Sequence, residues 1–504
     1  MTSPTEPAAP VCAPASVDLV VVGAGPAGMA GAVAAAEAGL HVAVVDAAGQ
    51  PGGQYWRHAD ERTGDPEHRP HGWSTYLALR ARFDAVRASG RLSYLPGRQV
   101  WFIDRADKPA AGGTAGFAVH TTASVAGSGP LSPDTEGAET RVLRAGALLL
   151  CPGGYDRQLP IPGWDLPGVM AAGGVQAMVK GSGTVPGRRA VVAGTGPFLL
   201  PVATGLAEYG VKVAGIFEAG ALRSWVREVG NAARVPAKAG EAVGYVAKLA
   251  RHRIPYRTRR VITAIHGDDR VAGVTVAAVD GDGRVRPGTE RQIACDLVAL
   301  GWGFTPSPEL VIAAGADTRV DVDGSLVAVV DDAGRTSAAG VYAAGEITGV
   351  GGATVAVDEG ELAGLSAAAD AGLRVDTTRC ARLRSSIARG RAFAGAMHRS
   401  HPVPPRWSEW LTDDTVICRC EEVTHADIRY AREHLGAHDP RTVKMLARPG
   451  MGWCQGRVCG FATTHLSGAP DGAAAEPHLR ATAKRPLAAP ITLDELAALD
   501  DPNR

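Results

Sequence analysis

Four cysteines stand close together towards the C-terminal end, Cys418 and Cys420 in VICRCEEV, Cys454 and Cys459 in GMGWCQGRVCG. The spacing is C-x-C, then 33 residues, then C-x4-C. In an extended segment Cys418 and Cys420 project to one face, because strand side chains alternate with period two. The second pair sits in a glycine-flanked loop that can wrap backbone N–H groups around sulfur. Four thiolates suit a tetrahedral zinc ion or an iron–sulfur centre. Zinc sites usually begin C-x2–4-C, so the C-x-C start favours a [2Fe-2S] centre over zinc or unligated thiols. Four thiolates on an oxidised [2Fe-2S] core leave about two negative charges. Arg419, Arg457 and Lys444 lie near enough in sequence to offset them.

A second chemistry is written in glycine. Gly23, Gly25 and Gly28 form G-x-G-x-x-G, with Pro26 and Ala27 between the last two, after the apolar run Leu19–Val22 and before an alanine-rich stretch. Asp46 closes the next apolar run, 18 residues after Gly28. The first glycine makes a tight turn, the second lets a pyrophosphate approach the backbone, and the third packs helix on strand. The helix N-terminus then offers free N–H groups to phosphate, and the acid accepts from a ribose hydroxyl. A bare glycine turn is the alternative, and the flanking strands and the acid argue against it.

A similar unit begins at Arg189, where GTGPFL supplies Gly194 and Gly196 but puts Leu199 at the third small position. A leucine there should push helix from strand. Glu218, ending the following strand, suits an unphosphorylated ribose and repels a 2′-phosphate. The unit is expected to keep its fold and to take an adenine nucleotide, ATP or NAD, with NADH hydride transfer disfavoured. A scaffold without nucleotide is the other reading.

These motifs need elements to hold them. Residues 18–46 read strand, glycine loop, helix, strand, and 73–90 have helical spacing. Three β-rich pieces follow at 92–104, 116–123 and 140–154, with a Gly/Ser/Pro-rich loop at 125–139. A basic helical region at 221–252 precedes alternating strands up to about 307. Residues 334–369 read strand, turn, glycine loop, helix. Arg-rich helices begin near 375, and the Ala/Pro-rich tail beyond 468 is expected to be only partly ordered.

Composition bounds the rest. The chain has 504 residues, 52 Lys+Arg against 52 Asp+Glu, and 64 glycines. A neutral chain has no overall field for polyanions, so nucleic acid is excluded as a partner. The N-terminal residues 1–16 lack the basic flank and apolar core of a signal peptide and read as a disordered leader. No run of about 18 apolar residues is long enough to span a membrane, so a cytoplasmic location is expected. Cys12, Cys151, Cys295 and Cys380 are isolated and read as buried small hydrophobes. No paired cysteines occur before 418, which argues against a thiol–disulfide mechanism.

PGGQ at 51–54 together with TSAAGVYAAGEITGVGGA at 336–353 resembles the two-dinucleotide-domain flavoprotein reductases. There a strand ending Ala-x-Gly-Asp sets an acid on the flavin's ribityl chain. Glu346 stands in that place here, and the loop at Gly351, Gly352 and Ala353 would open a helix whose dipole favours an anionic reduced flavin. The resemblance implies FAD at Gly23, Gly25, Pro26, Ala27, Gly28, Asp46, Gly53, Gln54, Gly153, Gly345, Glu346, Gly352 and Ala353. The cysteine segment resembles the small [2Fe-2S] domain of bacterioferritin-associated ferredoxin, which implies Cys418, Cys420, Cys454 and Cys459 as ligands. With CPGGYDRQLPIPGWDLPGVMAAGGVQAMVKG at 151–181, residues 17–468 resemble the flavoprotein α subunits of heteromeric amine and imino-acid dehydrogenases. That group includes the A chain type of opine oxidase, the B type of hydrogen cyanide synthase, the α subunits of proline and hydroxyproline dehydrogenases, and the central part of sarcosine oxidase α. It usually shows Ala-Thr-Gly where this chain has Cys151-Pro152-Gly153, and much of it shares a non-glycine at the position of Leu199.

The resemblance implies an α/β fold of two Rossmann-like dinucleotide-binding domains, one inserted in the other, plus a small mainly helical C-terminal [2Fe-2S] domain. The expected division is 17–155 and 301–372 for FAD, 156–300 for the second nucleotide, 373–412 a helical linker, 413–468 for the cluster and 469–504 a tail. It further implies an electron-transfer subunit whose partners are a small ferredoxin-like subunit plus a D-amino-acid-oxidase-like flavoprotein β subunit. Nothing in the sequence resembles a catalytic base beside an amine, so no catalytic residue is assigned. Two rival readings remain open: a self-sufficient NAD(P)H-dependent flavin oxidoreductase feeding a ferredoxin-like acceptor, and a non-catalytic assembly subunit with a structural cluster.

Overall fold

The computed structural model describes residues 16–61, 69–106, 116–124, 141–228, 230, 235 and 237–497. The leader up to residue 15 with Cys12, and the loop expected at 125–139, lie outside the described residues. Strand β1 (Ser16–Val22) is buried without a break from Leu19 through Val22, so both of its faces are covered, the mark of a central parallel strand. Helix α1 (Pro26–Ala38) starts on a proline, where the missing N–H costs nothing. Strand β2 (Val42–Val45) returns parallel to β1, with Leu19 opposite Val42.

After α2 (Trp73–Ala88) come β3 (Leu92–Leu95), β4 (Arg98–Ala106), β5 (Gly116–Ala123) and β6 (Arg141–Leu150). The first sheet runs β3-β2-β1-β6-β5-β4, parallel from β3 to β6 and antiparallel beyond.

The chain then leaves this sheet through β7 (Gly154–Asp156) and builds a second one. That sheet uses β8 (Val169–Ala171), β9 (Arg189–Gly194), β10 (Lys212–Glu218), β11 (Tyr256–Thr258) and, after the antiparallel strands β12 (Arg260–His266), β13 (Gly273–Ala278) and β14 (Arg291–Ala294), β15 (Leu297–Gly301). Its order is β11-β10-β9-β15-β8, with every pair parallel. Helices α3 (Ala172–Ser182), α4 (Leu199–Glu208) and α5 (Ala237–Arg251) lie along this stretch. Strand β16 (Phe304–Pro306) pairs antiparallel with β7, so the outgoing and returning connections run side by side.

Helix α6 (Glu309–Ala313) and the hairpin of β17 (Thr318–Val320) and β18 (Leu326–Ala328) precede β19 (Val341–Ala343), which re-enters the first sheet beside β6. Helix α7 (Ala353–Asp370) then crosses α1 at backbone contact. A Cβ on Gly360 would lie 1.9 Å from the Ala27 carbonyl oxygen, and one on Gly364 2.2 Å from that of Gly31. Helices can meet this closely only where no side chain stands between them.

Helix α8 (Thr377–Ser400) is capped by Asp376, which accepts from the Thr378 and Arg379 amides. The cysteine segment holds β20 (Val416–Cys418), β21 (Val423–Thr424), α9 (His425–His434), α10 (Pro440–Ala447) and α11 (Gly460–Leu466). It shares one apolar core with β12 and β13, in which Trp302, Trp407 and Ile417 are fully buried. The Trp164 indole also donates to the Val416 carbonyl at 2.6 Å. The tail, read from sequence as only partly ordered, carries helix α12 (Glu476–Ala483) packed against β17. Among the described residues no helix is long and apolar enough to cross a membrane.

Replacing Gly360 by alanine is expected to force α1 and α7 apart. Overpacking of this kind costs about 1–3 kcal/mol, read as a lower thermal midpoint. An unchanged midpoint would show that the crossing tolerates a methyl group.

Candidate functional site

The Gly23–Gly28 loop is held from both sides. Gly23 has φ +96°, and a Cβ there would meet the Cys151 carbonyl oxygen at 2.3 Å; one on Gly28 would meet the Gly23 oxygen at 1.7 Å. Gly53 lies against Gly25, its would-be Cβ 2.8 Å from the Gly25 Cα. The loop can therefore be entered only by a ligand that lies on bare backbone. Asp46, just past β2, accepts from the Ala24 and Ala48 amides, both at 3.1 Å. Burial pushes its carboxyl up to about 6.

Glu346 reaches this site from the other half of the chain. It follows β19, and its Oε1 accepts from the Gly352 amide at 3.1 Å, one residue before α7 begins. Among the described residues its Oε2 is buried without a hydrogen-bond partner. Burial pushes the carboxyl up to about 7, against the opposing pull of Arg391. A buried acceptor with no donor is costly to leave unmet, and a ribityl hydroxyl is the donor that FAD would bring. Gly153 has φ +70° with open space where a Cβ would stand. The residues present fit a flavin dinucleotide.

One part of this site gives no sequence signal. Glu359 on α7 accepts from the Gly345 amide at 3.0 Å and the Thr348 hydroxyl at 2.9 Å. Arg391 on α8 forks onto Glu359 with two bonds of 2.7 Å, and also donates to the Gly349 and Gly345 carbonyls. The pair clamps the turn that carries Glu346. Arg391 is one of many arginines on α8, and no spacing separates it from its neighbours.

The second glycine loop is built differently. Helix α4 begins at Leu199, five residues past Gly194, whereas α1 begins three residues past Gly23. The leucine delays the helix start, yet α4 still packs against β9, so the expected separation of helix from strand is not what the structure shows. Gly301 makes room for the leucine, since a Cβ there would meet its Cδ2 at 2.9 Å. Glu218 is fully buried and accepts from the Thr195 hydroxyl at 3.0 Å and the Gly196 and Gly220 amides at 2.9 and 3.0 Å. His401, just past α8, stands over it. Its Nε2 accepts from the Trp225 indole at 2.9 Å, which leaves the proton on Nδ1, 3.5 Å from Glu218 Oε1.

The four cysteines meet as two pairs. Cys420 and Cys454 have their sulfurs 3.9 Å apart. Cys418 is held well below the usual thiol range, to about 5, because the Cys459 thiol donates to it; Cys459 is pushed up correspondingly. The Gly450 amide also points at the Cys418 sulfur, 3.4 Å away. A Cβ on Gly452 would strike that of Cys420 at 2.2 Å, so this loop closes on sulfur as tightly as the first closes on its glycines. Among the described residues no three His, Cys, Asp or Glu side chains already form a closed metal-ligating set. Each pair joins one cysteine of the 416–424 hairpin to one of the 450–460 loop. Cys151, Cys295 and Cys380 are buried, as expected of isolated small apolar residues.

The family profile of pyridine nucleotide-disulphide oxidoreductases matches residues 17–360. The "A" component of opine oxidase from Agrobacterium tumefaciens (strain Ach5) is 33% identical over 498 residues, covering 96% of this chain and 92% of that one. Hydrogen cyanide synthase subunit HcnB of Pseudomonas aeruginosa is 31% identical over 458 residues, covering 89% and 92%. Among solved structures, L-proline dehydrogenase from P. horikoshii superposes with a TM-score of 0.62 at 17% identity, over 95% of this chain and 79% of that one. That likeness shows a shared mixed α/β dinucleotide-binding fold.

The raised carboxyl of Glu346 sets a pH test. Its folded value of about 7 exceeds the ordinary 4.5, so between these values the folded state holds a proton that the unfolded chain has released. Stability of the flavin-free protein therefore falls as pH rises through this window. Glu346→Gln is expected to remove that component of the slope while still binding FAD. Glu346→Ala is expected to weaken FAD binding about tenfold or more, measured by flavin fluorescence quenching.

Proposed function

The chain belongs to the pyridine nucleotide-disulphide oxidoreductase family, in the group of the opine oxidase "A" component and HcnB, and on that premise we propose an FAD- and [2Fe-2S]-containing electron-transfer subunit. It would serve a heteromeric amine or imino-acid dehydrogenase or oxidase of the opine, proline or hydroxyproline type. Residues 17–155 and 301–372 would hold FAD, 156–300 form the second nucleotide unit, and 413–468 hold the cluster on Cys418, Cys420, Cys454 and Cys459. Substrate oxidation falls to a D-amino-acid-oxidase-like β subunit, and a further partner is a small ferredoxin-like subunit. The relatives' designation as subunits supports a partnered chain.

One observation carries this reading. The Gly153 carbonyl accepts from the Ser307 amide at 3.1 Å, and Glu309, two residues further on, ion-pairs with Arg457 of the Cys454–Cys459 loop at 3.1 Å. The two candidate redox sites are therefore tied to one short segment, Ser307–Glu309. FAD supplies two-electron chemistry and a [2Fe-2S] centre one-electron chemistry, so the pair joins a substrate oxidation to a one-electron acceptor. The chain's own part is positional: Asp46 and Glu346 orient the dinucleotide, and the glycine loops exclude side chains and water from its backbone contacts.

The rival NAD(P)H-dependent reading requires a reductant at the second loop. There Glu218 is already saturated by Thr195, Gly196 and Gly220, and His401 covers it. An adenine nucleotide, ATP or NAD, at Gly194, Gly196 and Glu218 would have to displace the segment Ser400–Pro402. Anaerobic NADH is accordingly expected to leave the flavin absorbance unchanged, and bleaching within seconds would favour the rival.

The purified protein is expected to hold about two irons and two sulfides per chain, with an EPR signal that appears on reduction. A cluster silent on reduction would mark an assembly subunit instead. Without its β partner the chain is expected not to oxidise proline, hydroxyproline or an opine. Full activity alone would overturn the division of labour.

A further inference from the structure

The C-terminal segment crosses back over the molecule and meets the cysteine loop. Arg480 on α12 donates to the Ala316 carbonyl at 3.1 Å and the Thr318 hydroxyl at 2.8 Å. Further on, the Ala488 amide donates to the Trp101 carbonyl at 2.7 Å, and the Pro490 carbonyl accepts from Gln99 at 3.1 Å. Residues 480–490 thus form a strap anchored on β17 at one end and on β4 of the first sheet at the other.

Arg485 lies at the middle of this strap. Its side chain is 9% exposed and ion-pairs with Glu309, 4% exposed, at the start of α6. Its Nε and Nη2 both donate to the Gln455 carbonyl, at 3.1 and 2.6 Å. Gln455 directly follows Cys454 and has φ +52°, a left-handed conformation that a residue with a Cβ rarely adopts. Arg485 therefore holds the strained residue that aims Cys454. Arg457, in the same loop, donates to the Ala488 carbonyl at 2.6 Å and pairs with Glu309 at 3.1 Å.

Charge points the same way. Two guanidinium groups share one carboxylate, and among the described residues neither pairs with a second. One positive charge is left over beside the Cys454–Cys459 loop, and of its two bearers Arg485 is the buried one, at 9% exposure against 25% for Arg457. Thiolates carrying a net negative centre would balance it.

We infer that the C-terminal strap, through Arg485, positions the Cys454–Cys459 loop against the flavin-bearing unit and supplies the positive charge that favours the reduced state of the group held there. The charge half of this inference rests on the four cysteines holding a [2Fe-2S] centre. Arg485 is a positioning residue, acting through Gln455.

The test uses full-length protein as purified, with Arg485→Met and Arg485→Lys. Hydrogen exchange at residues 455–457 is read without reference to any cluster. It is expected to quicken about tenfold or more in Arg485→Met, and equal exchange would overturn the strap. An EPR-monitored redox titration is expected to give a lower midpoint potential for Arg485→Met and partial recovery for Arg485→Lys. An unchanged midpoint in both variants would overturn the electrostatic role. If the parent protein holds no iron or sulfide, the cluster reading and the electrostatic role fall together, while the exchange comparison still decides the strap. Should Arg485→Met not fold, Arg485→Lys decides, because lysine keeps the charge and loses the fork. Quickened exchange in Arg485→Lys then supports the strap and parent-like exchange overturns it, while Arg485→Gln carries the charge test, an unchanged midpoint there overturning the electrostatic role.

Discussion

The backbone crossing of α1 and α7 is the constraint on which the rest of the molecule depends. Gly360 and Gly364 approach the Ala27 and Gly31 carbonyls more closely than any side chain allows. These residues lie more than 300 positions apart in the chain, and their contact makes one site from two distant segments. It sets the Gly23–Gly28 loop beside Glu346 and the start of α7. Everything inserted between Leu150 and Val341 must leave and return beside the same strand, which β6 and β19 achieve by pairing directly.

Around this crossing, charged pairs fasten the chain after residue 375 onto the segments that precede it. Arg391 of α8 fastens the turn before α7 through Glu359. His401 closes over Glu218 at the second loop. Arg457 and Arg485 meet at Glu309, next to the cysteine loop. Each carboxylate is well buried, and a buried ion is tolerable only with partners in place. The helices after residue 375 therefore act as parts of both sheet-bearing units as well as a link to the cysteine segment.

The two glycine loops show how one residue redirects a shared plan. Where the third position is Gly28, the helix starts at once and the acid Asp46 keeps two backbone bonds. Where it is Leu199, the helix starts later, and Glu218 takes the Gly196 and Gly220 amides much as Asp46 takes those of Ala24 and Ala48. The acid at the strand end is common to both, and Glu218 differs in also accepting from the Thr195 hydroxyl and lying under His401.

Local pattern makes much of this legible in the sequence. The apolar runs before Gly23 and Gly194, the acids at Asp46 and Glu218, and the helix at 73–90 follow from periodicity and spacing, because each is settled within a few turns of chain. The grouping of Cys418 and Cys420 with Cys454 and Cys459 is likewise visible from spacing alone. Contacts between residues hundreds of positions apart are not. Arg391 looks like any arginine on its helix, His401 like a linker residue, and Arg485 like part of a loose tail. Their partners are chosen by which faces the α1–α7 crossing and the shared tryptophan core bring together. Burial then decides their meaning: a surface arginine is a solvated charge, whereas the same side chain beside Glu309 must be balanced by its neighbours.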